Sequence, residues 1–299
     1  MIPPGAVRLA AGDLQALFLP RLGMLGTSLA HRGTELLRRI DDLDAAAARG
    51  STAGIPLLHP WANRLEGPRY RAAGKHVVLD MASPLLHADG NGLPNHGVPW
   101  SRLPWEVVEA RDDGLTARLD WRRPEWLAIF PFPHPLEMTV SLANAALEIA
   151  TTLTAGGQGP VPIAFGFHPY LGLPGLERSE WRLELPAMQR LVVDGRRIPT
   201  GAEEPFPAEA APLGSRSFDD GFALTAEAAV LAIAGGGRRI AVEFLEGYRY
   251  AQVYAPRDAD FVALEPMTAP ANALASGRGL TTVGPGGRFR AAFRVGVSA

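Results

Sequence analysis

Apolar and polar residues alternate with a period of two along much of this chain. Leu115, Ala117, Leu119 and Trp121 alternate with Thr116, Arg118 and Asp120, and Leu136, Met138, Val140 and Leu142 alternate with Glu137, Thr139 and Ser141. The same pattern recurs at Trp181–Leu183–Leu185, at Ile240–Val242–Phe244 and at Phe289–Ala291–Phe293–Val295. Each run puts one face into a core and the other outward, as half-buried antiparallel strands do. Turn formers fall between the runs: Asp113-Gly114, Gly156-Gly157, Asp194-Gly195, Gly235-Gly236-Gly237 and Gly286-Gly287. Helical periodicity is scarce; only Ile40 to Arg49, with its alanine run, predicts a short helix. Strands at this density predict an all-β fold, a large antiparallel sandwich or barrel. The stretch Thr200 to Phe218, rich in Pro, Gly, Ala and Glu, reads as a long surface excursion; a domain linker is the other reading, but the strand patterns on its two sides look alike.

One run departs from the alternation. Phe261-Val262-Ala263-Leu264 is continuously apolar and ends on a carboxylate, Glu265, followed by Pro266-Met267-Thr268-Ala269-Pro270. Pro266 has no N–H to donate and is expected to stop the ladder, leaving Glu265 at a strand end against a hydrophobic wall. Burial raises a carboxyl pKa, and a Glu raised towards neutral pH is a useful general base. The plainer reading is a strand-end Glu in a salt bridge or facing water.

Size and composition narrow the possibilities. The chain has 299 residues, 47% of them hydrophobic and 20% charged, with a formal net charge of −2. That length suits two average domains, but large all-β folds often run as one, so a single β-sandwich domain over 1–299 is expected. A charge near zero gives no electrostatic case for nucleic acid or an anionic membrane surface. No apolar run approaches the roughly 20 residues that span a bilayer. Met1-Ile2-Pro3-Pro4-Gly5 has neither a basic start nor an apolar segment, so no export signal is read there and a cytoplasmic address is expected. The absence of cysteine removes disulfides, thiolate zinc sites and cysteine nucleophiles.

Four polar clusters precede Glu265. The first is His59-Pro60-Trp61-Ala62-Asn63-Arg64, where Arg64 offers a fixed fork of donors to hydroxyl or carboxylate oxygens, or pins a loop through backbone carbonyls. The second, Asn91 to Trp100, places His96 between turn formers on a loop that can be aimed at a cleft. The third places His168 in the almost wholly apolar run Ile163 to Leu171, as a satisfied core histidine or a proton-transfer group. The fourth, Ser217-Phe218-Asp219-Asp220-Gly221-Phe222, reads most simply as a turn, with one aspartate as a candidate acceptor from a ligand hydroxyl. His31, His76 and His87 read as surface or turn residues; His59 and His134, each before a proline, read as structural. No His and carboxylate pair has metal-ligand spacing, no Gly-x-Ser-x-Gly elbow occurs, and the glycines lack the context of a nucleotide loop.

Taken together, the clusters resemble the aldose 1-epimerase (galactose mutarotase) family. The matches fall in the family's order: Asn63-Arg64 with Gly67 and Tyr70, then His96-Gly97, His168-Pro169-Tyr170, Asp219 to Phe222, and Leu264-Glu265-Pro266. They span roughly residues 50 to 297. The resemblance implies one large β-sandwich with the sugar site on its concave face. It implies that Glu265 is the general base at the anomeric hydroxyl and His168 the general acid at the ring oxygen. It implies too that Glu265 is ionised while His168 is protonated, each favouring the other's charge across the sugar. His96 is implied to fix the substrate near the ring oxygen or C1, with Arg64 and Asp219 binding sugar hydroxyls; Asp220 is the alternative to Asp219. No cofactor and no metal are implied, since each proton passes between side chain and substrate. Trp61, Trp100 and Tyr254 are candidate sugar-facing aromatics. The small-molecule sugar is the expected partner, and the chain is expected as a monomer or homodimer. Departures from the hexose mutarotase pattern are Phe167 before His168, Tyr170-Leu171-Gly172 after it, and His96-Gly97-Val98 where His-Gly-Gly is usual. They mark a divergent bacterial branch. A hexose-6-phosphate 1-epimerase is the near alternative, with Arg64, Arg69 and Arg71, and Arg249 further off, as phosphate ligands. A non-catalytic carbohydrate-binding or regulatory protein is the alternative of another class, and a sandwich domain of a lyase or glycosidase comes last.

Overall fold

The computed structural model describes residues 3–49 and 51–298. Met1 and Ile2, the start of the N-terminal stretch read above, lie outside the described residues. The alternating runs form two large antiparallel sheets, and a smaller four-stranded sheet is built from residues 7–35. One large sheet has nine strands. It runs from Glu106–Ala110 through Gly114–Trp121, His134–Ala143, Ala146–Thr154, Arg288–Ser298, Arg238–Glu246, Val230–Gly235 and Arg182–Leu185 to Glu209–Pro212. The second runs from Pro199–Phe206 through Met188–Val193, Phe218–Leu224, Tyr250–Ala255, Val262–Met267 and Gly166–Phe167 to Leu57–Leu58; Tyr170–Leu171 also pairs with Val262–Met267. The sheets meet through aromatic contacts, such as Phe167 on Phe293 with ring centroids 5.0 Å apart. Among the described residues no helix is long and apolar enough to cross a membrane. The anticipated helix is Leu43–Arg49.

Register decides what the second sheet shows to its cleft. Opposed residues of antiparallel strands point to the same face. One such row crosses the sheet as Gly221, Gln252 and Glu265, with the Leu191 side chain beside Gly221. The next carries Asp219, Tyr254, Ala263 and Tyr170. Between them Val253 and Leu264 point the other way, into the core. Every residue of Val262–Met267 is buried, which explains its unbroken apolar run: one face meets the other sheet and loops cover the cleft face.

Two expectations fail here. Pro266 does not stop the ladder: the strand continues to Met267, which pairs with Tyr250 on one side and Gly166 on the other. A missing N–H removes a single donor, and pairing on both flanks carries the chain past it. Glu265 therefore lies within a central strand. The stretch from Thr200 to Phe218 is not a loose excursion. Pro199–Phe206 and Glu209–Pro212 are the outermost strands of the two sheets. Pro199–Phe206 is exposed along nearly its whole length, so no burial imposes alternation, and its prolines suit an edge.

Candidate active site

The cleft is assembled from loops that reach over the second sheet. The His59–Pro60 bond is cis, and the chain then turns so that Asn63 and His96, both with φ +59°, face each other. Both residues sit in the left-handed region, which Asn and His tolerate better than most. The His96 N–H donates to the Asn63 carbonyl at 3.0 Å, and the Asn63 N–H donates to His96 Nδ1 at 3.1 Å. That second bond places the His96 proton on Nε2. Gly97 is required for the approach: a Cβ there would lie 2.4 Å from the His59 carbonyl oxygen. Asn272, four-hundredths exposed, closes the loop from the other side. Its N–H donates to the Arg64 carbonyl, and its Oδ1 accepts the Glu66 N–H.

The sequence candidates converge. His168 Nε2 lies 3.2 Å from Glu265 Oε1, with the side chains 6% and 2% exposed. His168 stacks on Tyr170 with ring centroids 4.1 Å apart, and the His96 ring stands edge-on to it at 5.8 Å. Arg64 is held on three sides: Nε donates to Asp89 at 2.8 Å, one terminal nitrogen to Asn63 Oδ1 at 3.0 Å, and the other to Asp219 at 3.5 Å. Its guanidinium thus serves acceptors other than backbone carbonyls. Asp219 lies in the strand Phe218–Leu224 instead of a turn, and its second oxygen accepts from Gln252 Nε2 at 2.7 Å. Its neighbour Asp220 points to the opposite face and pairs with Arg190 at 3.6 Å, so Asp219 is the aspartate of the cleft.

Burial controls the electrostatics. It pushes the Glu265 carboxyl well above its ordinary range, helped by the nearby Asp219 carboxylate and opposed by Arg64. It pushes His168 well below its ordinary range, with His96 adding in the same direction. His96 is pushed down to about 3, first by burial and then by the Arg64 guanidinium, so it stays neutral and presents Nε2–H as a donor. The separate charges expected on Glu265 and His168 are thus not the resting state. Two buried groups in contact share one proton, and a low-dielectric surrounding favours the form in which neither is charged. Glu265 Oε2 and His168 Nδ1 are shielded and have no partner among the described residues.

Other expectations need correction. Trp61 is buried among core residues against Tyr70 and does not face the cleft. Trp100 is 3% exposed, and its Nε1 donates to the Ser51 carbonyl. Tyr254 alone of the three candidate aromatics flanks His168, at 5.9 Å between rings. His31 is buried, not at the surface. Arg69 and Arg71 are exposed on a hairpin, on the face opposite buried Tyr70. Asp89 and Gln252 were missed. Asp89 sits in Asp89-Gly90-Asn91-Gly92, which reads locally as a turn and does cap one, accepting from the Asn91 and Leu93 N–H groups. Gln252 left one signal, a lone amide between Ala251 and Val253 in an apolar strand.

A family model described as aldose 1-epimerase matches residues 20–296. An uncharacterised protein, YihR, of Escherichia coli strain K12 is 26% identical over 257 residues, covering 81% of this chain and 80% of its own. The structure of the Slr1438 protein from Synechocystis sp. PCC 6803 is 25% identical, covers 99% of this chain and 96% of its own, and superposes with a TM-score of 0.81. A galactose mutarotase-like protein from Clostridium acetobutylicum is 19% identical, covers 97% of this chain and 94% of its own, and superposes with a TM-score of 0.84.

Proposed function

The chain belongs to the aldose 1-epimerase family, and from that premise we propose that it interconverts the α and β anomers of a free aldose by proton transfer. The observation that carries this reading is the buried His168–Glu265 contact at 3.2 Å, a pair holding one mobile proton beside a fixed donor, His96 Nε2–H. A protein that only binds sugar has no use for such a pair.

The reaction begins with sugar in the cleft and the proton on His168. Glu265 takes the proton from the anomeric hydroxyl, the C1–O5 bond breaks, and O5 takes the proton from His168. The products are the open-chain aldehyde, a protonated Glu265 and a neutral His168. Rotation about C1–C2 turns the other carbonyl face to O5. The same transfers run backwards and close the other anomer. Burial favours the neutral pair, which is the state that accompanies the open-chain aldehyde, so the cleft stabilises the species least stable in water. His96 donates to the substrate near the ring oxygen or C1. Arg64 and Asp219, preorganised by Asp89 and Gln252, bind hydroxyls. The 6-phosphate alternative calls for cations converging on a dianion. Arg64 is already paired with two carboxylates, and Arg69 and Arg71 are exposed, so the structure favours a neutral sugar.

Polarimetry on freshly dissolved α-anomers of a sugar panel, 6-phosphates included, tests the reading: catalysed decay to equilibrium supports it, and no acceleration with any sugar rejects it. A pH profile tests the pair. The one-proton state is bounded on the acid side by the lowered His168 pKa and on the alkaline side by the raised Glu265 pKa. Burial therefore widens the plateau at both ends, and kcat/KM is expected to stay flat through neutral pH. A rate still climbing smoothly above about pH 9 rejects this assignment.

A further inference from the structure

A sugar has little room in the cleft as it stands. Beside Arg64, Asp219 and Gln252 the free space is about 20 Å³, enough for about one water. A pyranose with its hydroxyls is several times larger, and His168 and Glu265 are themselves shielded. Substrate therefore enters only if a wall moves. Asn63, Arg64 and Pro270 are held by backbone bonds from His96, Asn272 and Ala273. Tyr250, Gln252 and Met267 lie in paired central strands. The remaining wall is Leu191, Val193, Arg197 and Pro199, from the outermost hairpin of the second sheet.

The hairpin has a joint and a rigid tip. Met188, Gln189 and Arg190 pair with the neighbouring strand Phe218–Leu224, and that pairing ends at Arg190. The hairpin's own two strands fall out of register just beyond, where Val192 alone faces Thr200, Gly201 and Ala202. Gly201 has φ +95°, which glycine adopts freely, so the backbone there can absorb a swing. Past the joint, Asp194 ties the tip to itself. Its carboxylate accepts from the Arg196 and Ile198 N–H groups, and its N–H donates to the Ile198 carbonyl. Exposed arginines fasten the tip to its surroundings. Arg196 donates to the Glu66 carbonyl at 3.3 Å, Arg197 to the Asp219 carbonyl at 3.5 Å, and Arg278 to the Thr200 carbonyl at 2.5 Å. Exposed charged contacts of this kind are weak, while burial of Ile198 gives the tip a definite seat.

We propose that residues 191–202 form a flap that lifts to admit the sugar and closes over it, and that Arg197 is a substrate contact the flap carries. The proposal rests on the epimerase reading, which places the sugar between the hairpin and Asp219. Arg197 Nε lies 3.9 Å from the Asp219 carboxylate, too far for a hydrogen bond. A sugar hydroxyl arriving between them donates to Asp219 and accepts from Arg197. Closure then keeps water from the proton transfers of Glu265 and His168.

The chain has no cysteine, so introduced thiols are unique. Gly195, at the tip, and Gly67, beside Glu66, have no left-handed φ, open space at Cβ and no place in the cleft wall. The double variant Gly67→Cys/Gly195→Cys is joined by a short bifunctional methanethiosulfonate that dithiothreitol releases. It is expected to lose most of its activity when joined and to recover it on reduction. Gly195→Cys alone, carrying an environment-sensitive fluorophore, is titrated with glucose, with galactose and with any other sugar that polarimetry shows to be turned over. Its emission is expected to change, with a midpoint near KM for the sugar turned over. Arg197→Met is expected to raise KM about 10-fold or more with kcat little changed, as when a contact shared by ground and transition states is removed. Joined protein as active as reduced protein overturns the flap and leaves the epimerase reading in place, as does a label silent at sugar concentrations that saturate turnover. An unchanged KM overturns the Arg197 contact. If no sugar is turned over but the label responds to glucose or galactose, the epimerase reading falls and the flap stands.

Discussion

Glu265→Gln is expected to lower kcat/KM for anomer interconversion by about 10²- to 10⁴-fold, the usual worth of a positioned general acid or base. The substitution keeps the shape of the side chain. Its amide donates to His168 Nε2, so the contact at 3.2 Å survives while the mobile proton is lost. The same variant is expected to be at least as stable as the parent, and increasingly more so at higher pH. The sign follows from burial. Glu265 has a folded pKa raised above its unfolded value, so the stability tied to its proton is complete below the unfolded pKa and is lost as pH rises through the folded one. Glutamine has no proton to lose. Urea unfolding of both proteins at pH 6, 7.5 and 9, alongside polarimetry, reads the two effects. A variant as active as its parent would mean that another group takes the O1 proton. A variant that is inactive but less stable at pH 9 would mean that Glu265 is not buried as a neutral acid.

The second large effect is acid lability. His59, His134, His96 and His168 are all held neutral, chiefly by burial; His134 is pushed down to about 4 and His96 to about 3. His134 Nδ1–H donates to the Phe132 carbonyl at 2.6 Å, leaving Nε2 to accept from His59 Nε2–H at 3.2 Å, with Trp121 stacked beside them. Among the described residues, a proton added to this pair has no carboxylate to meet. These are depressed pKa values, so the unfolded chain binds more protons below about 6.5 and stability falls as pH drops from there towards the folded values. Each such histidine contributes about 1.4 kcal/mol per pH unit across that window. The Glu265 proton opposes the trend, being bound more tightly in the folded state. With three or four histidines acting together, a typical stability of about 5–15 kcal/mol is consumed within two to three pH units of 6.5, so unfolding is expected between about pH 3.5 and pH 4.5. Unfolding free energies at pH 7, 6 and 5 give the proton uptake directly from the slope. A flat profile over that range would show that these histidines are not buried neutral.

Much of the nine-stranded sheet was legible because burial of one face writes a period of two into the residues themselves. Leu115 to Trp121 and Leu136 to Leu142 alternate on paper and alternate in exposure. Alternation is absent where burial does not impose it. Pro199–Phe206 is exposed on both faces and looked like a loop; Val262–Met267 is buried on both and hid the fact that Glu265 stands mid-strand. Arg64, His96, His168, Asp219 and Glu265 were each visible as polar residues in odd company. Asp89 was not, because capping its own turn and holding Arg64 look the same in a one-dimensional string.

The chain by itself therefore determined its all-β character, its family and the identities of the polar groups gathered in the cleft. Those follow from local exposure patterns and short motifs. Tertiary structure decided which aspartate faces the cleft, which tautomer His96 holds and where the proton of the His168–Glu265 pair rests. It also decided that Gln252 and Asp89 support the site. The reason is physical. Arg64 and Asp219 are 155 positions apart, and their contact is set by strand register and loop closure. Protonation depends on how completely water is excluded, and residues from distant parts of the chain achieve that together.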